Sequence, residues 1–172
     1  MPSSRRVLVS WVGFADLRGF AAANPDARPA VAKAIGQDLP DQSPGAGPLR
    51  AAVEFQSFDE IHLLGDYDAS LLRRFARWLG PNATHHRATI KDPTDYAAVY
   101  TAAEDLLASV TDSGKTDLWI SLTSGTPAMA ATLVLLGKTR YPARFLQSHR
   151  SEASETNIPF DLTLEYLPEL LR

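Results

Sequence analysis

The chain has 172 residues, a length that suits one domain with a hydrophobic core. Its 45% hydrophobic and 22% charged residues are ordinary for a globular protein, and its net charge of −3 argues against a broad basic surface for nucleic acid. The absence of cysteine excludes disulfides, a thiolate nucleophile and cysteine zinc sites. We find neither a signal-peptide pattern nor an apolar run long enough to cross a bilayer, so we expect a cytoplasmic protein.

Short apolar strands alternate with helical patterns along the chain. Strands are predicted at 7–12, 61–64, 84–90, 118–122 and 143–147. Helices are predicted at 71–79, from 94 to a stop at 112–114, and from 127 onward. Residues 20–50 are rich in Ala, Pro, Gly and Asp, which predicts an irregular insertion with a helical turn or two at 30–35. Residues 151–156 are polar and predicted to be loose. We expect residues 1–172 to be a single domain taken from a longer regulator, with a C-terminal linker at 157–172.

This alternation predicts an α/β fold of the Rossmann-like, doubly wound type. The sheet should be mainly parallel and five- or six-stranded, with helices on both faces. In such a sheet, ligands bind beyond the carboxyl ends of the strands, at the point where the strand order reverses. The first strand ends at 10–16 and the fourth at 123–126, so we expect these two turns to face each other across that point.

The turn at 123–127 reads Thr-Ser-Gly-Thr-Pro and joins the most apolar predicted strand to a helix. Thr126 or Ser124 can cap that helix, and Pro127 suits its first position. Gly125 permits a close approach of backbone or ligand. The N–H groups and hydroxyls of such a turn form an anion site, although a well-capped turn that binds nothing has the same sequence pattern.

The candidate ligand-binding residues come from the two facing turns. The first turn contributes Ser10, Trp11, Val12, Gly13, Phe14 and Asp16, and the second contributes Thr123, Ser124, Gly125, Thr126, Pro127 and Met129. Arg18 is a further candidate for contact with an anion. His149 and Arg150 follow the fifth predicted strand, so they either reach the same crevice or lie in a solvated loop.

Other chemistry finds little support in the sequence. The turn after the first strand lacks the second and third glycines of a dinucleotide-binding fingerprint. His85 and His86 are adjacent in a predicted strand and should point to opposite faces, while His62 is predicted to be a core residue. We therefore expect no metal, no cofactor and no catalytic residue.

Three segments, 7–13, 122–129 and 145–147, together resemble CARF (CRISPR-associated Rossmann fold) domains. The resemblance is strong at 123–129, weaker at 10–16 and absent over 20–50. More narrowly, the chain is similar to the N-terminal sensor of RNA-repair-operon (RtcR-type) sigma-54-dependent transcription activators. In those proteins a CARF-like domain precedes an AAA+ ATPase and a DNA-binding helix-turn-helix.

The resemblance implies a non-catalytic sensor that forms a homodimer. Such a sensor would bind a nucleotide or RNA-derived phosphate ligand, either cyclic oligoadenylate or an RNA end, at the dimer interface and control the attached activator. The helix from Pro127 is apolar on almost every side, which also favours burial against a second chain. CARF domains commonly carry a lysine at the position of Pro127, so ligand capture here would depend on backbone N–H groups and hydroxyls.

Two alternatives remain open from the sequence. In a ring nuclease, Ser10 and Thr123 would orient a ribose 2′-hydroxyl for attack on its own phosphodiester. In a pure dimerisation module, the turns would bind no ligand.

Overall fold

The computed structural model describes residues 4–41, 45–111 and 115–159. These residues form six strands and six α-helices. In chain order they are β1 (Arg5–Trp11), α1 (Phe14–Ala23), a 3₁₀ turn (Pro25–Ala27), α2 (Arg28–Ile35), α3 (Pro48–Phe55), β2 (Glu60–Gly65), α4 (Ala69–Leu79), β3 (Ala83–Arg87), α5 (Tyr96–Thr111), β4 (Thr116–Ser121), α6 (Pro127–Thr139), β5 (Arg144–His149) and β6 (Glu152–Thr156).

The strands form one sheet in the order β3-β2-β1-β4-β5-β6. The first five strands of that order run parallel, and β6 pairs antiparallel with β5. This is the doubly wound order: the chain moves outward from β1 through β2 to β3 on one side, and from β4 through β5 to β6 on the other. The prediction of a mainly parallel, Rossmann-like α/β sheet is confirmed, and the ligand-binding position of such a fold lies beyond β1 and β4.

Hydrophobic cores cover both faces of the central strands, which explains why those strands are apolar throughout. Leu8 of β1 packs on one face against residues of α1, α2, α3 and α4. Val7 and Val9 pack on the other face with Ile120 of β4 and with residues of α5 and α6. The two hydrophobic cores hold the ends of β1 and β4 in place between two layers of helices.

The expectation of an irregular insertion at 20–50 was wrong. This range contains the end of α1, the 3₁₀ turn, α2 and the start of α3, whereas the sequence pattern predicts a helical segment only at 30–35. Alanine is a strong helix former, and a proline lies in the first turn of both α2 and α3, where its missing N–H costs nothing. Residues 37–41 and 45–47 are indeed outside regular structure, and residues 42–44 lie outside the described part.

The expectation that 151–156 is loose was also wrong, because β6 covers Glu152–Thr156. Arg150 and Ser151 join β5 to β6 with φ angles of 48° and 69°. Positive φ at both central residues is typical of the tight type I′ hairpin turn, which normally contains Asn or Gly. The turn therefore could not be predicted from a sequence that has Arg and Ser at these positions.

Other differences concern where elements begin and end. The third strand ends at Arg87 rather than at 90, and α5 begins at Tyr96 rather than at 94. This helix continues to Thr111, and its predicted stop at 112–114 lies outside the described residues. Of the predicted linker, residues 157–159 have no helix or strand, and residues 160–172 lie outside the described part. Within the described ranges, none of the helices combines the length and the apolar character needed to cross a membrane.

Candidate functional site

The turns after β1 and β4 meet at the carboxyl edge of the sheet. The backbone of Gly13 lies against the backbone of Gly125, as the expected juxtaposition of the two turns requires. A cavity of about 420 Å³ opens beside this contact. It is lined by Val12, Gly13, Phe14, Ala15, Asp16, Arg18, Asp66, Tyr67, Pro93, Thr123, Ser124, Gly125, Thr126 and Met129.

Most of the candidate residues from the sequence line this cavity. Nine do so: Val12, Gly13, Phe14, Asp16, Thr123, Ser124, Gly125, Thr126 and Met129. Ser10, Trp11 and Pro127 do not. Ser10 is completely buried and donates its hydroxyl proton to the carbonyl of Trp11 over 2.9 Å. The Trp11 side chain is buried in the core on the α5 and α6 face, and Pro127 is exposed at the start of α6.

Sequence reasoning missed the part of the cavity that comes from two other strands. Asp66 and Tyr67 follow β2, which is the neighbour of β1, and Pro93 lies in the loop after β3. The rule that carboxyl ends of parallel strands share one edge could have found Asp66 and Tyr67. Arg18 lines the cavity as suggested, whereas Arg150 lines a smaller cavity together with Gly45, Pro48 and Ser148.

Thr126 fixes the N-terminus of α6, as expected for an N-cap residue. Its Oγ1 accepts a hydrogen bond from the Met129 N–H over 3.3 Å. The same hydroxyl donates to the carbonyl of Pro93 over 2.7 Å, which ties the helix to the loop after β3. The positive end of the helix dipole is therefore directed at the cavity and held there.

The hydroxyls of Thr123 and Ser124 lie next to this helix end. The Thr123 Oγ1 accepts a hydrogen bond from the Ser148 N–H over 2.7 Å, and as a hydroxyl it keeps one proton to donate. Ser124 is only 4% exposed, and its hydroxyl makes no hydrogen bond of good geometry in the described part of the chain. It lies close enough to Asp16 to lower the pKa of that carboxyl, without being properly paired. A buried hydroxyl without a well-formed partner on a cavity wall is a natural contact for a ligand.

Asp16 is a structural support of the cavity wall. Its Oδ2 accepts a hydrogen bond from the Gly13 N–H over 2.9 Å, and its Oδ1 accepts one from the Leu49 N–H over 2.8 Å. The carboxyl thus joins the first turns of α1 and α3. Burial raises the pKa of Asp16, and the contact with Ser124 and the two backbone hydrogen bonds only partly oppose that rise.

The charges around the cavity are mixed. Among the described residues that line it, Arg18 is the only one with a cationic side chain, and it donates a hydrogen bond to Gln37 over 2.8 Å. Burial and the nearby Asp16 and Asp66 carboxylates raise the pKa of Tyr67 to about 12, so its hydroxyl stays protonated. An anionic ligand would therefore have to be held by the α6 N-terminus, the hydroxyls and Arg18.

Comparisons with known proteins bear on this arrangement. No protein-family model matches the chain, and no curated protein matches it in sequence. Among solved structures, Enterococcus italicus Csm6 bound to cyclic hexa-2'-fluoro-hexa-dAMP is similar, with a TM-score of 0.63 and 16% sequence identity. The similarity covers 90% of this chain, which spans only 42% of the Csm6 chain. At this level of identity the comparison shows that the two share their fold, a Rossmann-like α/β sheet with helices on both faces.

Proposed function

We propose that the chain is a CARF-type sensor domain that binds a nucleotide or RNA-derived phosphate ligand in the cavity beyond β1 and β4. Cyclic oligoadenylate is the first candidate. The observation that carries the proposal is the buried, poorly paired Ser124 hydroxyl beside the N-terminus of α6. It lies where doubly wound folds bind their ligands, and the fold is similar to a Csm6 solved with a cyclic nucleotide.

The ligand's phosphate would be held by neutral donors and by Arg18 rather than by a lysine. The α6 N-terminus supplies a positive dipole end, and Thr123 and Ser124 supply hydroxyl protons. Arg18 supplies a charge at the cavity wall. Phe14 is 44% exposed at the start of α1 and lines the cavity, so it offers an aromatic surface to a nucleobase.

We also propose that the domain forms a homodimer through the outer face of α6. Its inner face is buried in the core, but Pro127, Ala131 and Leu135 are exposed at four-residue intervals along one stripe. Leu135 is 45% exposed, which is high for a large apolar side chain. A second copy covering this stripe would remove it from water and bring two cavities towards one another.

The domain is proposed to bind its ligand without cleaving it. The ring-nuclease alternative needs Ser10 and Thr123 together at the ligand, but the Ser10 hydroxyl is buried and bonded to the Trp11 carbonyl. Both oxygens of Asp16 accept backbone hydrogen bonds, which leaves this carboxylate poorly placed to act as a base. These contacts support a sensor over a nuclease.

The sequence resemblance to the RNA-repair-operon activators supports a regulatory role. We propose that ligand binding controls an attached sigma-54-type AAA+ ATPase and DNA-binding domain, and that the ligand in that setting is either cyclic oligoadenylate or an RNA end.

The test is a binding panel on the 172-residue chain. Cyclic tetra-adenylate, cyclic hexa-adenylate, a linear oligoadenylate with a 2′,3′-cyclic phosphate and AMP would each be added in thermal unfolding experiments. At a ligand concentration 100-fold above Kd, binding stabilises the fold by about 2.7 kcal/mol, which raises Tm by roughly 5–10 °C. We expect this shift with one of the oligonucleotides and its recovery intact by chromatography. Recovery of cleaved product would support the nuclease instead, and no shift with any ligand would overturn the proposal.

A further inference from the structure

A chain of polar contacts crosses the sheet face that β2 and β3 present beside α5. His62 Nδ1 and His86 Nε2 lie 2.9 Å apart. The other ring nitrogen of His62, Nε2, lies 3.0 Å from Glu60 Oε2, and Glu60 Oε1 accepts a hydrogen bond from Arg5 over 3.0 Å. None of these four residues lines the cavity beyond β1 and β4.

The strand register explains how the two histidines meet. Leu64 of β2 pairs with His86 of β3, and His62 pairs with Thr84. His62 and His86 are therefore diagonal neighbours on one face of the sheet, with ring centroids 5.1 Å apart. His85 lies beside His86 in sequence but points to the opposite face, where its register partner Leu63 is part of the core.

The hydrogen-bond partners determine where the protons lie. An ionised Glu60 carboxylate only accepts hydrogen bonds, so His62 carries its proton on Nε2 and leaves a lone pair on Nδ1. The hydrogen bond with His62 and, to a smaller extent, the charge of Arg5 hold the pKa of Glu60 below its usual value. Because Nδ1 of His62 acts as the acceptor, Nε2 of His86 donates its proton across the 2.9 Å contact between the two rings.

We propose that His62 Nδ1 and His86 Nε2 form a binding site for a divalent transition-metal ion of the zinc type. Two neutral imidazoles are suitable ligands for such ions, whereas Mg²⁺ prefers oxygen ligands. Glu60 would accept a hydrogen bond from the other ring nitrogen of His62 and so orient the metal-bound ring. The ion would replace the proton between the rings, and that proton would pass through solvent to Nδ1 of His86.

The geometry requires only a small adjustment. Zn–N bonds of 2.0–2.1 Å at a tetrahedral angle place two ligand nitrogens about 3.3 Å apart. The two rings therefore need to separate by roughly 0.5 Å, which rotation of half-buried side chains can provide. Because His86 borders an open groove between the β3 end and α5, an ion can enter from solvent.

Water or a group from a partner would complete the coordination. In the parts of the chain that the structure describes, no set of three or more His, Asp or Glu side chains is arranged around one point as a metal site. Asp105 lies on the wall of the same groove as His86. A two-histidine site should bind zinc with moderate affinity and exchange it readily, unlike a closed structural site with four protein ligands.

The experiment is a Zn²⁺ titration of the untagged chain, in which binding is measured by calorimetry and by the histidine ring signals in NMR. We expect Zn²⁺ to shift the ring signals of His62 and His86 but not those of His85 and His149, and Mg²⁺ to shift none of them. His62→Ala and His86→Ala should each weaken zinc binding by about tenfold or more, and Glu60→Gln by roughly 10- to 100-fold.

His85→Ala is the matched control, since it removes a histidine from the same strand but from the other face. It should bind Zn²⁺ as the wild type does. Equal zinc affinity in wild type, His62→Ala and His86→Ala would overturn the proposal. So would ring shifts in the wild-type protein that omit His62 or His86, a result that does not depend on how any variant folds.

Discussion

A Cβ atom added to Gly13 would lie 2.7 Å from the backbone nitrogen of Gly125. The turns that follow β1 and β4 are therefore in direct backbone contact, and this contact leaves no room for a side chain at Gly13. Gly125 has a φ of +96°, and a Cβ there would lie 2.7 Å from the Met129 sulfur. The two glycines set the distance between the turns and thus the shape of the cavity beside them.

Gly13→Ala should distort the cavity, because the new methyl group must push the Gly125 turn away. We expect a loss of about 1–3 kcal/mol in the free energy of unfolding, as for other overpacked sites, together with weaker binding of the ligand. Urea unfolding and calorimetry measure the two effects. Gly36→Ala is the control, since Gly36 has a φ of +67° but open space around its Cβ position. It should lose stability through backbone strain and keep full affinity. Wild-type stability and affinity in Gly13→Ala would contradict the close contact.

Asp16 should make the stability depend on pH in a specific direction. Its pKa in the folded protein is raised above the ordinary value of 3.8, chiefly by burial, so the folded state holds this proton more tightly than the unfolded state. The stabilisation from the proton is complete below 3.8 and is lost as the pH rises through the raised pKa. The free energy of unfolding of the wild type relative to Asp16→Asn should therefore fall as the pH rises over that window.

Urea unfolding of both proteins from about pH 4 to about pH 8 tests this slope. Asp68→Asn supplies a control of opposite sign. Asp68 caps α4, and its hydrogen bonds with Ser70 lower its pKa, so its stabilisation is lost as the pH falls. A difference between wild type and Asp16→Asn that stays flat or increases with pH would show that the Asp16 pKa is not raised.

Strong local signals explain what could be predicted from the sequence. The apolar segments of β1 and β4 and the Thr126–Pro127 helix start placed two turns at one edge of the sheet, and the structure brings those turns together. The β5–β6 hairpin could not be predicted, because Arg150 and Ser151 adopt positive φ without the usual Asn or Gly. The contact between His62 and His86 depends on the register of β2 with β3, which no local pattern specifies.

The position of Ser10 shows that lying near the end of a central strand does not ensure contact with a ligand. A residue at the carboxyl end of a central strand was expected to face the ligand, but its hydroxyl instead bonds to the next carbonyl inside the core. A position near the end of β1 does not by itself bring a side chain to the ligand. Alternate residues of a strand point to opposite faces of the sheet, and only the residues beyond the end of the strand line the cavity. Val12, Gly13 and Phe14, which follow the strand, do line it.

Pro127→Lys should strengthen phosphate binding. Pro127 does not line the cavity, but it is exposed next to Thr126, which does, so a lysine there would add a positive charge near the α6 N-terminus. We expect tighter binding of cyclic oligoadenylate, with a gain that shrinks as the salt concentration rises. Thr139→Lys adds the same charge at the other end of α6 and should give no gain. Equal gains in both variants, or none in either, would argue against a phosphate at this helix end.

Leu135→Glu should dissociate the proposed dimer. A carboxylate at the largest apolar residue of the exposed stripe on α6 would have to be buried against the partner copy, at a cost that a dimer interface does not tolerate. Light scattering after size-exclusion chromatography should show a dimer for the wild type and a monomer for the variant. Phe55→Glu changes a side chain with the same 45% exposure on α3 and should leave the dimer intact. A monomeric wild type, or dimers in both variants, would contradict the proposed interface.

The most direct test of the ligand site is calorimetric titration of wild type and Ser124→Ala with the cyclic oligoadenylate that stabilises the wild type most. The Ser124 hydroxyl makes no well-formed hydrogen bond within the described chain, so its removal should change the free energy of unfolding by less than about 1 kcal/mol. A bond to a charged phosphate is worth about 1.5–3 kcal/mol, so the affinity should fall by roughly 10-fold or more. A stable variant with weakened binding is the result that we predict. Unchanged affinity in a folded Ser124→Ala protein would contradict the account and show that the turn serves only to cap α6.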